Sequence, residues 1–118
     1  VGANQVSAVL RCTYGAIKNS KHVRDLTAEA MREAVAVSKA ENIDLTESDI
    51  ENCIGILSSL TPTGKTSMLQ DVEAGRKTEV EAFGGTVCRL AKKHNIEVPV
   101  NEALVKFITA MEDTFDIR

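Results

Sequence analysis

Twelve positions separate Ser67 from Glu79, and the stretch around them, Lys65 to Glu81, mixes hydroxyls, carboxylates, bases and a glycine more densely than packing alone requires. A serine hydroxyl can donate to the carboxylate of a small substrate, and a glutamate can accept from sugar hydroxyls or an amide. For both to serve one ligand they must converge. In one unbroken helix they would lie about 18 Å apart along the axis and about 120° apart around it. A break brings them together: Gly75 is the weakest helix former in the interval, and Thr78 is suited to cap a new helix. The expectation is a short helix over residues 67–73, a bend across 75–77 and a long helix from Glu79. Helix starts carry unpaired N–H groups and the positive dipole end, which suit anionic ligands. The same residues also fit purely structural roles. Ser67 can cap the short helix, Glu79 and Glu81 are favourable first-turn acids, and Glu81 can close a capping box with Thr78. Pattern alone leaves both readings open.

The elements that must position these residues read as helices. Val6, Val9 and Leu10 repeat at helical spacing until Thr13, Tyr14 and Gly15 interrupt. Ala28, Met31, Ala34, Val35 and Ser38 form the next stripe, with Asn42 and Ile43 as its left-handed stop. Thr46 and Asp49 make a capping box ahead of a face built from Ile50, Cys53, Ile54, Leu57 and Leu60. Thr61 to Gly64 is a break. Val80, Phe83, Val87, Leu90 and Ala91 line the helix expected from Glu79, which stops at Asn95 and Ile96 in an echo of the earlier stop. Pro99 and Asn101 open the last helix, whose stripe is Leu104, Phe107, Ile108, Met111 and Phe115. No segment alternates like a strand and no long linker divides the chain. One compact all-α domain of five to six helices over residues 1–118 follows.

Composition narrows the function classes. Apolar residues make up 43% of the 118 and charged residues 26%, an ordinary globular balance. A net charge of −3 argues against a duplex nucleic-acid partner, and 3% aromatics without tryptophan leave no base-stacking platform. No apolar run approaches the roughly 20 residues that span a bilayer. The first residues carry no charged region of a signal peptide and start mid-pattern, as an excised domain would. Cys12, Cys53 and Cys88 are odd in number and show no metal-ligand spacing, which fits reduced thiols of a cytoplasmic protein and no metal site. His94 follows two lysines at a helix end, where a cation favours the dipole, and reads as structural.

Thr66, Ser67, Met68, Leu69, Gln70, Asp71 and Val72, then Arg76 to Glu81, then Leu90 through His94 to the Pro99-x-Asn101 entry of the last helix, resemble the C-terminal domain of the ketopantoate reductases (2-dehydropantoate 2-reductases). The resemblance runs over most of the chain. It implies a helical fold like the 6-phosphogluconate dehydrogenase C-terminal domain. It also implies NADPH-dependent reduction of 2-dehydropantoate, or a similar 2-oxo acid, to the 2-hydroxy acid pantoate, in pantothenate and coenzyme A biosynthesis. An N-terminal Rossmann domain would hold the dinucleotide, and this chain has no G-x-G-x-x-G after a strand. The resemblance makes Ser67 a substrate contact and Glu79 a cofactor contact. It places Asn4 as the second asparagine of a Lys-x-x-x-Asn-x-x-x-Asn helix face, also toward the substrate, with the catalytic lysine before Val1. Lys18, Lys21 and Lys65 lack that motif, so no catalytic residue is assigned within the chain, and the fragment alone is expected to be inactive. Such a lysine protonates the alkoxide as hydride arrives.

Three positions depart from the family pattern. Gln5 stands where proline is frequent, Tyr14 where a substrate-binding asparagine is usual, and Gly84-Gly85 replaces a common Asn-Gly. Altered polar contacts change which 2-oxo acid fits. A second function class remains beside the enzyme reading: a helical module that forms homodimers through an apolar face, with any catalytic heritage irrelevant.

Overall fold

In a computed structural model that describes residues 2–115, every regular element is helical. Seven helices run in chain order: α1 (Gly2–Leu10), α2 (Tyr14–Asn19), α3 (Lys21–Ala40), α4 (Glu47–Ser59), α5 (Ser67–Ala74), α6 (Thr86–Lys93) and α7 (Pro99–Asp113). A π-helical turn, Glu81–Gly85, leads directly into α6. The all-α fold class matches the expectation, with seven helices rather than five or six. The additional helix is α2, which at six residues is too short to show a period.

Local chemistry explains where the helices stop. Asn42, Gly75 and Asn95 all have left-handed φ, at 61°, 72° and 56°. After each, the chain closes the same i→i−5 bond. Ile43 N donates to Ser38 O at 2.8 Å, Arg76 N to Asp71 O at 2.8 Å and Ile96 N to Ala91 O at 2.8 Å, each satisfying a carbonyl the helix end would otherwise orphan. Thr66 caps α5 through its Oγ1, which accepts from Leu69 N at 3.1 Å. Thr46 N donates to Asp49 Oδ2 at 2.8 Å, half of the capping box read from the sequence.

Burial corrects two of the expected faces. On α3 the buried positions are Thr27, Ala30 and Val37; of the expected stripe 28/31/34/35/38, Ala34 packs beside Val37 and the other four lie one residue out of register. The helix packs against α1, α2, α4, α6 and α7, so several sides are covered and no single stripe marks its inner face. On α7, Leu104 and Ile108 are buried as expected, but Phe107 is 56% exposed. Three apolar clusters result. Ala8, Met68, Val72, Val80 and Ile108 join α1, α5, the segment before the π turn and α7. Val37, Val87, Ala91 and Val98 join α3 to α6, and Val6, Ala30 and Leu104 join α1, α3 and α7. Each fully buried aliphatic side chain contributes about 1.5–3 kcal/mol.

A buried polar network stitches the same helices. Asn101 does not cap α7; Val98 stands at the cap position, and Glu33 of α3 supplies the missing acceptor. Its carboxylate accepts from Val100 N at 2.9 Å and Asn101 N at 2.8 Å. The fully buried Asn101 side chain donates to Ala30 O at 3.0 Å and Glu33 Oε1 at 2.8 Å, and accepts from Gln5 Nε2 of α1 at 3.0 Å.

Candidate functional site

Asn4 and Ser67, 63 positions apart, meet where α1 passes the start of α5: Ser67 Oγ donates to Asn4 Oδ1 at 3.3 Å. Their backbones are held by a relay of hydroxyls one turn away. Leu69 N donates to Thr66 Oγ1, Thr66 and Ser7 share a 2.6 Å hydroxyl contact, and Ser7 Oγ donates to the Asn4 carbonyl at 3.0 Å. With the Ser7 proton given to Asn4, Thr66 is the donor in the shared contact. Thr66 and Ser7 are both buried, whereas Ser67 is exposed and Asn4 half-buried. The pair therefore presents a hydroxyl and a carboxamide at the N-terminal end of α5, beside N–H groups that favour an anion.

The bend expected after residue 74 is present, but its cap is different. Thr78 and Glu81 form no capping box. Thr78 N and Thr78 Oγ1 both donate to Glu112 Oε2 of α7 at 2.6 Å, and Thr78 Oγ1 accepts from Val80 N at 3.2 Å. Glu81 instead pairs with Arg89 at 3.2 Å. Glu112 was not anticipated as a site-building residue. Its signal was its place: an acid in the last turn of a helix opposes the dipole and needs another partner. The helix from Glu79 also begins differently. Gly85 N donates to Val80 O at 2.9 Å, an i→i−5 bond, and the regular α-helix starts at Thr86.

Glu79 is exposed, and among the described residues its carboxylate makes no hydrogen bond or ion pair to Asn4, Ser67 or any other side chain. Its backbone is nonetheless close to that neighbourhood. Val80 packs in one cluster with Met68, which follows Ser67, and with Ala8, one turn along α1 from Asn4. The lysines of the Lys65–Glu81 stretch are engaged elsewhere: Lys65 pairs with Glu73 at 2.9 Å, and Lys77 lies 3.9 Å from Glu112.

Tyr14 shapes the approach to α5. Its N–H donates to Gly64 O at 2.9 Å, Gly15 N donates to Pro62 O at 2.9 Å, and the Tyr14 ring lies so close over Gly64 that a Cβ there would sit 2.9 Å from Cδ2. The Thr61–Gly64 break is thus fastened to the start of α2. Two of the departures from the family pattern also meet in space, since the Gln5 carboxamide oxygen lies against Gly84.

Other titratable groups are structural. His94 Nε2 lies 2.5 Å from Glu41 Oε2, joining the ends of α6 and α3. That bond, with help from Lys93, holds the Glu41 carboxyl below its usual range. Burial pushes the Cys12 and Cys88 thiols up, which keeps them protonated and unreactive at neutral pH.

Comparison with known proteins agrees with this architecture. Residues 1–112 match the family model described as ketopantoate reductase PanE/ApbA C terminal. The chain is 32% identical over 108 residues to a 2-dehydropantoate 2-reductase of Halobacterium salinarum, covering 92% of this chain and 35% of that protein. It is 30% identical over 109 residues to the same enzyme from Pyrococcus horikoshii, covering 92% and 36%. It therefore spans about a third of the length of these curated relatives. A dimeric ketopantoate reductase from Staphylococcus aureus superposes with a TM-score of 0.90 at 25% identity, over 98% of this chain and 40% of that one. A D-mandelate dehydrogenase with NADH and anilino(oxo)acetate shares the fold, with a TM-score of 0.88 at 23% identity over 98% of this chain and 65% of that one. On the match over nearly its whole length, the chain belongs to the ketopantoate reductase family, as its C-terminal domain.

Proposed function

We propose that this chain is the substrate-side helical domain of an NADPH-dependent reductase that converts 2-dehydropantoate, or a closely similar 2-oxo acid, to the 2-hydroxy acid in the cytoplasm. The observation that carries this reading is the Ser67–Asn4 contact at the open N-terminal end of α5. In the proposed complex the Ser67 hydroxyl turns from Asn4 to a carboxylate oxygen of the substrate. The Asn4 carboxamide then offers an N–H to a substrate oxygen and an acceptor to a hydroxyl. Glu79 fits one edge of a dinucleotide, because an exposed carboxylate without a protein partner is free to accept ribose or amide hydrogens. A nicotinamide, when bound, supplies hydride to the carbonyl carbon. Its cradle is assigned to a Rossmann domain outside these 118 residues. The proton for the alkoxide is assigned not to that domain but to the lysine of the Lys-x-x-x-Asn-x-x-x-Asn helix face that Asn4 shares, since among the described residues no lysine bonds Asn4 or Ser67. The domain by itself is then a binding surface without turnover.

The test uses the protein at its full natural length, assayed with NADPH and a panel of 2-oxo acids. Ser67→Ala removes one hydrogen bond to a charged group, worth about 1.5–3 kcal/mol, and raises KM about 10- to 150-fold. Asn4→Ala acts in the same direction, and Glu79→Ala weakens the use of NADPH with the fold intact. Unchanged constants in all three variants sink the assignment.

A second reading, homodimerisation through α7, has its own support. Phe107 is exposed, and beside it Leu10 and Leu26 are 47% and 37% exposed around an apolar groove that also includes Val9 and Ala103. The Staphylococcus aureus relative is described as dimeric. Phe107→Asp converts a dimer to a monomer in sedimentation if this face is the interface, and leaves the mass unchanged if it is not.

A further inference from the structure

Gln5 carries the only buried side-chain polar atom without a hydrogen-bond partner among the described residues, its Oε1. Its orientation is fixed by its neighbours. Asn101 Nδ2 is committed to Ala30 O and Glu33 Oε1, so Asn101 can offer Gln5 only an acceptor. Gln5 must present its NH2 there, and its oxygen is turned to the opposite side. On that side lies Gly84 of the π turn. A Cβ built on Gly84 would collide with this oxygen and lie 2.6 Å from Val105 Cγ2, so the carboxamide occupies the space that any other residue at 84 would fill.

Successive side chains on a helix point about 100° apart. With Gln5 locked between Asn101 and Gly84, Asn4 must face the edge of α1 that meets α5, together with Ser7 three residues on. Both do: Ser67 bonds Asn4, and Thr66 bonds Ser7. Two polar clamps at different azimuths therefore hold α1 in rotation, and a turn of the helix that relaxes one must strain the other.

We infer that the fit of the Gln5 carboxamide against Gly84 sets the rotation of α1 and so holds Asn4 against Ser67, making Gln5 a positioning residue for 2-oxo acid binding. This rests on the proposed substrate role of Asn4 and Ser67. Stability alone needs no such orientation, so the two roles separate in kinetics.

The experiment compares Gly84→Ala, Gln5→Ala, the double variant and Asn4→Ala in the full-length protein. It reads KM for 2-dehydropantoate, kcat at saturating NADPH, and the melting temperature. Displacing Asn4 by a fraction of an ångström to one ångström costs up to about a hundredfold. The expected result is a KM raised at least about tenfold in Gly84→Ala and in Gln5→Ala, with kcat held within a factor of about two. In the double variant alanine at 84 raises KM over Gln5→Ala by far less than it does in the parent, because with the carboxamide gone only its contact with Val105 is left. If Gly84→Ala does not fold, Gln5→Asn, which draws the carboxamide back from Gly84, takes its place with the same expectation. Lower melting temperatures with unchanged KM overturn the inference and leave the substrate site standing. So does a Gly84→Ala effect that persists in full without Gln5. An unchanged KM in Asn4→Ala overturns both.

Discussion

Replacing Glu112 with alanine tests whether a single carboxylate on α7 holds the bend between α5 and the π turn. Glu112 is only 12% exposed at its side chain, and its Oε2 accepts from both Thr78 N and Thr78 Oγ1 at 2.6 Å. Lys77 Nζ, 3.9 Å from the other oxygen, is 82% exposed and adds little. Hydrogen bonds to charged groups are worth about 1.5–3 kcal/mol each. The two share one oxygen, and the Thr78 hydroxyl can rotate toward another acceptor, so the sum is set by the N–H that cannot. Thr78 is 6% exposed, and an orphaned donor at that depth costs about 1–3 kcal/mol beyond the lost bond. A total of about 3 kcal/mol follows for Glu112→Ala. For a chain of 118 residues the unfolding entropy near the midpoint is about 0.25 kcal/mol/K, so the midpoint falls by about 12 °C. Glu112→Gln keeps an oxygen for the N–H and loses only the charge, so it falls by roughly half as much. Far-UV circular dichroism on heating reads both. A midpoint within about 3 °C of the parent for Glu112→Ala, or equal losses in the two variants, would refute the account of the bend.

The Glu41 carboxyl, held low by His94 and then Lys93, ties α3 to α6. A carboxyl whose folded value lies below its unfolded value stabilises the fold above the unfolded value, and that contribution is lost as pH falls through the folded value. Denaturant midpoints should therefore drop as pH goes below 4.5, and Glu41→Gln should reduce that drop; equal slopes in both proteins would exclude the pair as its source. Gly75→Ala meets no atom within 4 Å of the new Cβ, so only the left-handed φ of 72° resists it. The loss should be about 1–2 kcal/mol, read as a denaturant midpoint shift without a change of slope; a neutral or stabilising effect would contradict the backbone argument.

Much of the fold was legible because its punctuation is local. Asn42, Gly75 and Asn95 stop helices through their own backbone preferences, and Thr46 and Asp49 start one through theirs. Faces were legible only where a helix has one covered side. The stripe expected from Glu79 survives in Val80, Val87 and Ala91, all buried. On α3 several neighbours cover several sides, and on α7 Phe107 belongs to the apolar stripe yet points outward. Hydrophobicity records that a residue shuns water, and it does not distinguish the core of its own domain from a partner's surface. The π turn was invisible for another reason. It widens the helix by one residue and sets Gly84 against a side chain 79 positions earlier, a contact that no local pattern records.

The same division separates the parts of the site. The short helix and its stop at Gly75 could be read directly, although the cap is Thr66 and Ser67, offered as the cap by the sequence, takes the first helical position. Asn4 opposite Ser67 depends on how α1 is turned, and that turn is set by Asn101, Thr66 and Gly84, none of them near it in sequence. The bend at Thr78 likewise depends on Glu112, 34 positions away. A motif is legible when the forces that shape it act within a helical turn or two. The convergence of its members rests on buried polar contacts between helices, which individually contribute little net energy yet cost much when one partner is missing. In this domain the residues facing the proposed substrate are therefore ordinary in type, and what makes them a site is the set of buried amides and hydroxyls behind them.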